Sequence, residues 1–119
     1  MTQIKIKRVY EPEEENDGYR VLADRLWPRG ISRENLHYDL WAKDITPSAS
    51  LRQWYHRDEV GHWDEFRKKY RTELEDSSAV KEFIDKIKSQ KAVTLLYASK
   101  NAVENHALVL RDFLNDKLL

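Results

Sequence analysis

Residues 92–97 read Ala-Val-Thr-Leu-Leu-Tyr, and the turn Ser99-Lys100-Asn101 follows. Six nearly continuous apolar residues suit a strand covered on both faces. After the turn the period changes. Val103, Ala107, Leu110 and Leu114 recur at helical spacing, and Asn101 with Glu104 three residues on reads as a capping box. A buried strand running straight into a helix predicts a small α/β layer fold.

The neighbouring segments extend this reading. Ile4 and Ile6, with Val9, alternate with Lys5 and Lys7, a period of two that predicts a half-buried strand. The acidic stretch Glu11–Gly18 is too short for a helical crossover, so the first two strands form an antiparallel hairpin or are not sheet neighbours. Tyr19–Ala23 predicts the second strand, Ser32–Leu36 a short helical turn capped by Ser32, and Tyr38–Lys43 a third strand. Ser48 or Ser50 caps a helix to about His56, in which Leu51, Trp54 and Tyr55 share a face. Gly61 reads as a break. Trp63, Phe66, Tyr70 and Leu74 mark a helix over 64–75, and Val80, Phe83, Ile84 and Ile87 another; together they suggest an αα-hairpin. The expected architecture is one domain over residues 1–119: a small, mainly parallel sheet of about four strands flanked by helices, with Rossmann-like layering.

Composition narrows the function classes. Lys plus Arg and Asp plus Glu both number 21, so the chain lacks the basic excess usual for a nucleic-acid binder, though a local basic patch keeps that partner open. Without Cys there is no thiolate nucleophile, disulfide or Cys-based metal site. No apolar run approaches a signal peptide or membrane span, so a cytoplasmic protein with no membrane partner is expected.

The chemistry-bearing residues cluster at two predicted strand ends. Asp24-Arg25-Leu26-Trp27-Pro28-Arg29-Gly30 follows the second strand, and Pro and Gly imply a rigid loop there. Arg25 and Arg29 suit a clamp for phosphate or carboxylate, since guanidinium binds such groups through two parallel hydrogen bonds. The simpler account is that the two arginines pair with Asp24, Glu34 or Asp44 or lie on the surface; a further one is that they are structural, buried in ion pairs. Asp24 reads as an arginine orienter, a proton acceptor or a cap. Trp27 reads as core, or as a surface for ligand stacking. At the second strand end, Lys100 and Asn105 flank the turn that leads to His106, and since imidazole as a group titrates near neutrality this residue suits proton transfer or a buried structural role. Lys43 is a further candidate ligand residue. His37, His56 and His62 show no metal-ligand spacing such as H-E-x-x-H, and neither a metal nor a cofactor is expected.

Arg8-Val9-Tyr10, the 24–30 stretch, Leu40-Trp41-x-Lys43-Asp44, Pro47-Ser48, Leu95-Leu96-Tyr97-Ala98-x-Lys100 and Asn105-His106 together resemble the YeaO-like family, a bacterial and archaeal domain of unknown function. The resemblance covers nearly the whole chain and implies an α/β fold with both strand-end segments in one site. It looks like a compact version of larger relatives that carry R-x-x-P-R after a strand and C-A-x-K…C-H-R near the C-terminus. Arg25, Pro28 and Arg29 match the first element; Ala98, Lys100 and His106 match the second. Tyr97 and Asn105 stand where those relatives have cysteines, and Ala107 where they have arginine, so thiol chemistry does not carry over. Two function classes follow: a hydrolase- or transferase-type enzyme on a phosphorylated small molecule or nucleotide, with Asp24 and His106 as catalytic groups; or a non-enzymatic module binding protein or nucleic acid through the same arginines. The sequence does not fix the oligomeric state.

Overall fold

The computed structural model describes residues 2–118 as one four-stranded sheet and four helices. The strands are β1 (Gln3–Arg8), β2 (Tyr19–Leu22), β3 (Leu40–Trp41) and β4 (Ala92–Tyr97), in the order β1-β4-β2-β3, and every pair is parallel. β4 is central, which explains its continuous apolar run: Val93, Leu95 and Leu96 are fully buried. β1 and β2 are not neighbours, because β4 lies between them. The helices are α1 (Ala49–His56), α2 (Glu59–Glu75), α3 (Ser78–Ile87) and α4 (His106–Leu118).

The two faces of the sheet are covered differently. Ile4, Val21, Val93 and Leu95 share one core with buried residues from all four helices, among them Leu51, Phe66, Phe83 and Phe113. The opposite face carries Leu22 and Leu96. They pack with Val9, Leu36 and the half-buried Trp27, Ile31, Tyr38 and Trp41, all supplied by strands and connecting segments. Loops rather than helices therefore cover the second face.

Local chemistry sets the helix starts. Ser48 Oγ accepts from the Leu51 N–H and donates to Glu73 Oε2 at 2.6 Å, tying the head of α1 to α2. Asp58 caps α2 by accepting from the Gly61 N–H at 3.0 Å. Gly61 accordingly lies inside α2, in its first turn; the break predicted there falls at Arg57–Asp58. α2 packs closely on α1 and α4, whereas α3 packs on the 3-10 turn Lys43–Ile45. The third strand spans two residues rather than six, and Ser32–Leu36 forms a turn closed by Asn35 N–H to Ser32 O. α4 begins at His106, and Asn105 caps it by accepting from the Leu108 N–H at 2.9 Å. Asn101 instead folds the preceding loop, accepting from the Val103 and Glu104 N–H groups. Val103 is 71% exposed, so it does not belong to the buried stripe that Ala107, Leu110 and Leu114 form.

Candidate functional site

Because β2 and β4 are parallel neighbours, the loops leaving their carboxyl ends lie side by side. Ligands favour this position in α/β sheets. A cleft of about 650 Å³ opens there. Asp24, Arg25, Trp27, Arg29, Lys100, Asn105 and His106 all line it. Lys43 does not. Its Nζ sits 4.0 Å from the Trp41 ring centroid, and it lines an adjacent cavity that shares Arg25, Leu26 and Thr46 with the cleft.

The loop backbone is firmly held. Asp24 Oδ2 accepts from the Ala98 N–H at 2.9 Å, joining the two strand ends. The Asp24 carbonyl accepts from Trp41 Nε1 at 2.7 Å, and Trp27 Nε1 donates to the Ile31 carbonyl at 2.6 Å. The Trp27 indole packs edge-on against Tyr38 and Trp41, combining a core role with a place in the cleft wall. Tyr10 Oη donates to the Arg29 carbonyl at 2.8 Å. Pro28 is buried, and Gly30 leaves the loop at φ +80°, where glycine is favoured.

The side chains divide into committed and uncommitted groups. His106 Nε2 lies 2.8 Å from the Ala23 carbonyl and 2.8 Å from Asp24 Oδ1. Only the carbonyl lies in line for a hydrogen bond, which places the ring proton on Nε2 and leaves Asp24 Oδ1 buried without a donor. Asp24 thus holds the Ala98 N–H rather than an arginine, and its Oδ1 lies 2.8 Å from the His106 nitrogen that serves the Ala23 carbonyl. Asn105 is committed as the α4 cap, and its Nδ2 donates to the Asn101 carbonyl. Arg25, Arg29 and Lys100 are exposed, and among the described residues none has a carboxylate within 4.0 Å. The two arginines lie on the surface, as the simpler account allows, and neither its ion pairs nor a buried structural pairing is present among those residues.

Helices α1 and α2 supply residues that sequence reasoning missed. Arg52, Tyr55, His56, Glu59 and Phe66 complete the wall, with Glu104 from the loop before α4. Burial pushes the Tyr55 hydroxyl up to about 12, and the carboxylates of Glu59 and Glu104 add to the rise. Glu59 pairs with His56 Nδ1 at 2.8 Å. Glu104 has no cation within 4.0 Å among the described residues. Arg52, Tyr55 and His56 stand at i, i+3, i+4 on α1, a spacing that marks one helix face. Nothing in that spacing says the face looks over the strand ends. His62 stacks on Trp54 at 3.9 Å and takes no part.

Comparison with known proteins gives a consistent result. The family model described as "Inactive DUF488-N3 subclade" matches residues 3–119. The chain is 48% identical over 111 residues to the protein named "Uncharacterized protein YeaO" of Escherichia coli, covering 93% of this chain and 96% of that one. It is 40% identical over 116 residues to an uncharacterised protein of Mycobacterium tuberculosis, covering 98% and 97%. No solved structure matches.

Proposed function

The chain belongs to the YeaO-like family, within the subclade described as inactive DUF488-N3, and from that membership we propose that it binds a small phosphorylated or carboxylated ligand without transforming it. The observation that carries this reading is a set of cations, Arg25, Arg29 and Lys100, with no carboxylate within 4.0 Å among the described residues, around one cleft on a pinned backbone. Long cationic side chains gathered without partners suit an anion supplied from solution. The word "inactive" in the family description favours binding over turnover. So does the chemistry of the site: Asp24 Oδ2 is occupied by the Ala98 N–H and His106 Nε2 by the Ala23 carbonyl, and Tyr97 and Asn105 replace the cysteines of the larger relatives. In this reading Asp24 and His106 are positioning residues that hold the arginine loop against the β4 turn. The protein is proposed to act in the cytoplasm.

Thermal shift with inorganic phosphate, pyrophosphate and citrate tests the proposal. At least one anion is expected to raise Tm, and Arg25→Ala and Arg29→Ala are each expected to abolish the rise. A rise that survives both substitutions sinks the clamp. Turnover of a phosphate ester by purified protein, lost in His106→Ala, would restore the enzymatic reading.

A further inference from the structure

The cleft holds more than a clamp for an anion. A bare phosphate or carboxylate would fill a small part of its roughly 650 Å³, a size typical of sites for whole small molecules. Beside its charged groups the wall carries aromatic and apolar side chains. Tyr10 is 46% exposed and Leu26 is 74% exposed, unusual for such side chains, and both face this cleft together with Trp27, Tyr55 and Phe66. An exposed apolar surface inside a concave site suits a planar ligand body.

Some charges in the cleft are paired, His56 with Glu59 at 2.8 Å and Asp24 beside His106 at 2.8 Å, and others are not. Glu104 lines the same space as the guanidiniums, yet among the described residues no cation lies within 4.0 Å of its carboxylate. Its backbone is fixed by the Glu104 N–H to Asn101 Oδ1 bond at 2.9 Å, so the carboxylate is presented from an ordered loop. The cleft therefore offers cations and a carboxylate that are not committed to each other, with aromatic rings in the same wall. A ligand that complements it carries an anion, a flat body and an N–H donor.

We infer that the ligand is a nucleoside monophosphate whose base bears an exocyclic amine, with the phosphate on Arg25, Arg29 and Lys100 and the amine facing Glu104. This deepens the anion-binding reading and rests on it. An amine donor satisfies the Glu104 acceptor, whereas a carbonyl oxygen in the same place would meet it acceptor to acceptor. The base would lie along the Tyr10 and Leu26 surface, since every base offers a π-face for such packing.

Calorimetric titration of the purified protein with adenosine monophosphate, inosine monophosphate and ribose phosphate separates the two levels. Adenosine monophosphate is expected to bind about tenfold or more tightly than either of the others, the scale of an unmet hydrogen bond. Glu104→Gln should erase the preference for adenosine over inosine monophosphate and leave ribose phosphate unchanged. Arg29→Ala should weaken all three. Equal affinity for the three compounds overturns the nucleoside assignment and leaves the anion clamp standing. No heat and no Tm change with any of them, or with inorganic phosphate, overturns both.

Discussion

Arg20 and Arg25 stand five residues apart on one strand and its exit loop, yet their surroundings are opposite. Arg20 is buried on the loop-covered face of the sheet, where its guanidinium meets Asp17 and its Nε donates to the His37 carbonyl at 2.8 Å. Lys7 Nζ reaches the same carboxylate at 2.8 Å, and the Asp17 carbonyl accepts from Thr94 Oγ1 at 2.7 Å. Arg25 is exposed at the cleft and has no carboxylate beside it among the described residues. The difference teaches how to read a cation in this fold. A desolvated charge must be matched within the protein. One left unmatched persists only where water or a ligand reaches it, which is why the cleft, and not the buried cluster, is the place to look for binding.

The sharpest way to break this comparison is to remove the shared carboxylate. Asp17→Ala would leave Arg20 without a carboxylate beneath the loop layer, while Lys7 keeps Glu14 at 2.8 Å. Breaking a buried pair by removing one partner costs about 3–5 kcal/mol, and urea denaturation should report a loss in that range. Arg25→Ala, by contrast, should change stability by no more than about 0.5 kcal/mol, as surface substitutions do. If the two variants lose similar stability, then water reaches the Asp17 cluster and the contrast fails.

The glycines of the two regions allow a finer test. Gly18 follows the 3-10 turn that presents Asp17, and it adopts φ +67°, ψ −134°, a region nearly closed to other residues. A Cβ there would stand 2.3 Å from the Ala92 carbonyl oxygen, against the central strand. Gly30 ends the arginine loop at φ +80°, and a Cβ there would meet nothing within 4 Å. Gly18→Ala combines strain with a backbone clash and should cost at least about 2–3 kcal/mol. Gly30→Ala carries strain alone and should cost about 1 kcal/mol. Paired chemical denaturation curves decide it. Equal costs would mean that the β2 entry yields as readily as the open loop.

Much of this arrangement could be read from residues alone, for reasons that are themselves instructive. The alternation of Ile4 and Ile6 and the solid run of β4 reflect one-sided and two-sided burial, so both strands announced themselves. The Ser48 cap did the same for α1. Gly61 misled because a glycine in a first helical turn faces little penalty when a carboxylate such as Asp58 caps its N–H. Val103 misled because its periodicity continues a helix whose cap lies two residues later, at Asn105. At the cleft, the two strand-end loops could be joined by topology once the sheet is parallel. Arg52, Tyr55, Glu59 and Glu104 could not, because their meeting depends on how the α1–α2 corner folds over the strand ends, a long-range packing outcome with no local signature. The same limit hid the Asp24–His106 contact, which spans 82 residues of sequence at 2.8 Å.

The smallest effect concerns pH, and it sets the buried cluster against its exposed border. Burial alone would raise the Asp17 pKa, but hydrogen bonds from Lys7, the Glu14 N–H and Arg20 outweigh that and hold it below the ordinary value. Its contribution is therefore present above the unfolded carboxylate pKa and is lost as pH falls through the folded one. His37, whose carbonyl receives Arg20, runs the other way. Its ring pairs with Glu13 at 2.6 Å, and that bond raises the imidazole pKa. Stability from this pair is full below the unfolded imidazole value near 6.5 and fades as pH rises through the raised folded value. Both side chains are about half exposed, so solvent screening keeps the effect small, within about 0.2–1 kcal/mol. Urea midpoints for the wild type and Glu13→Gln should differ slightly at pH 6 and converge by pH 9, while their acid limbs, governed by Asp17, should fall together. A difference that instead grows with pH would mean that Glu13 acts through the buried cluster, not through His37.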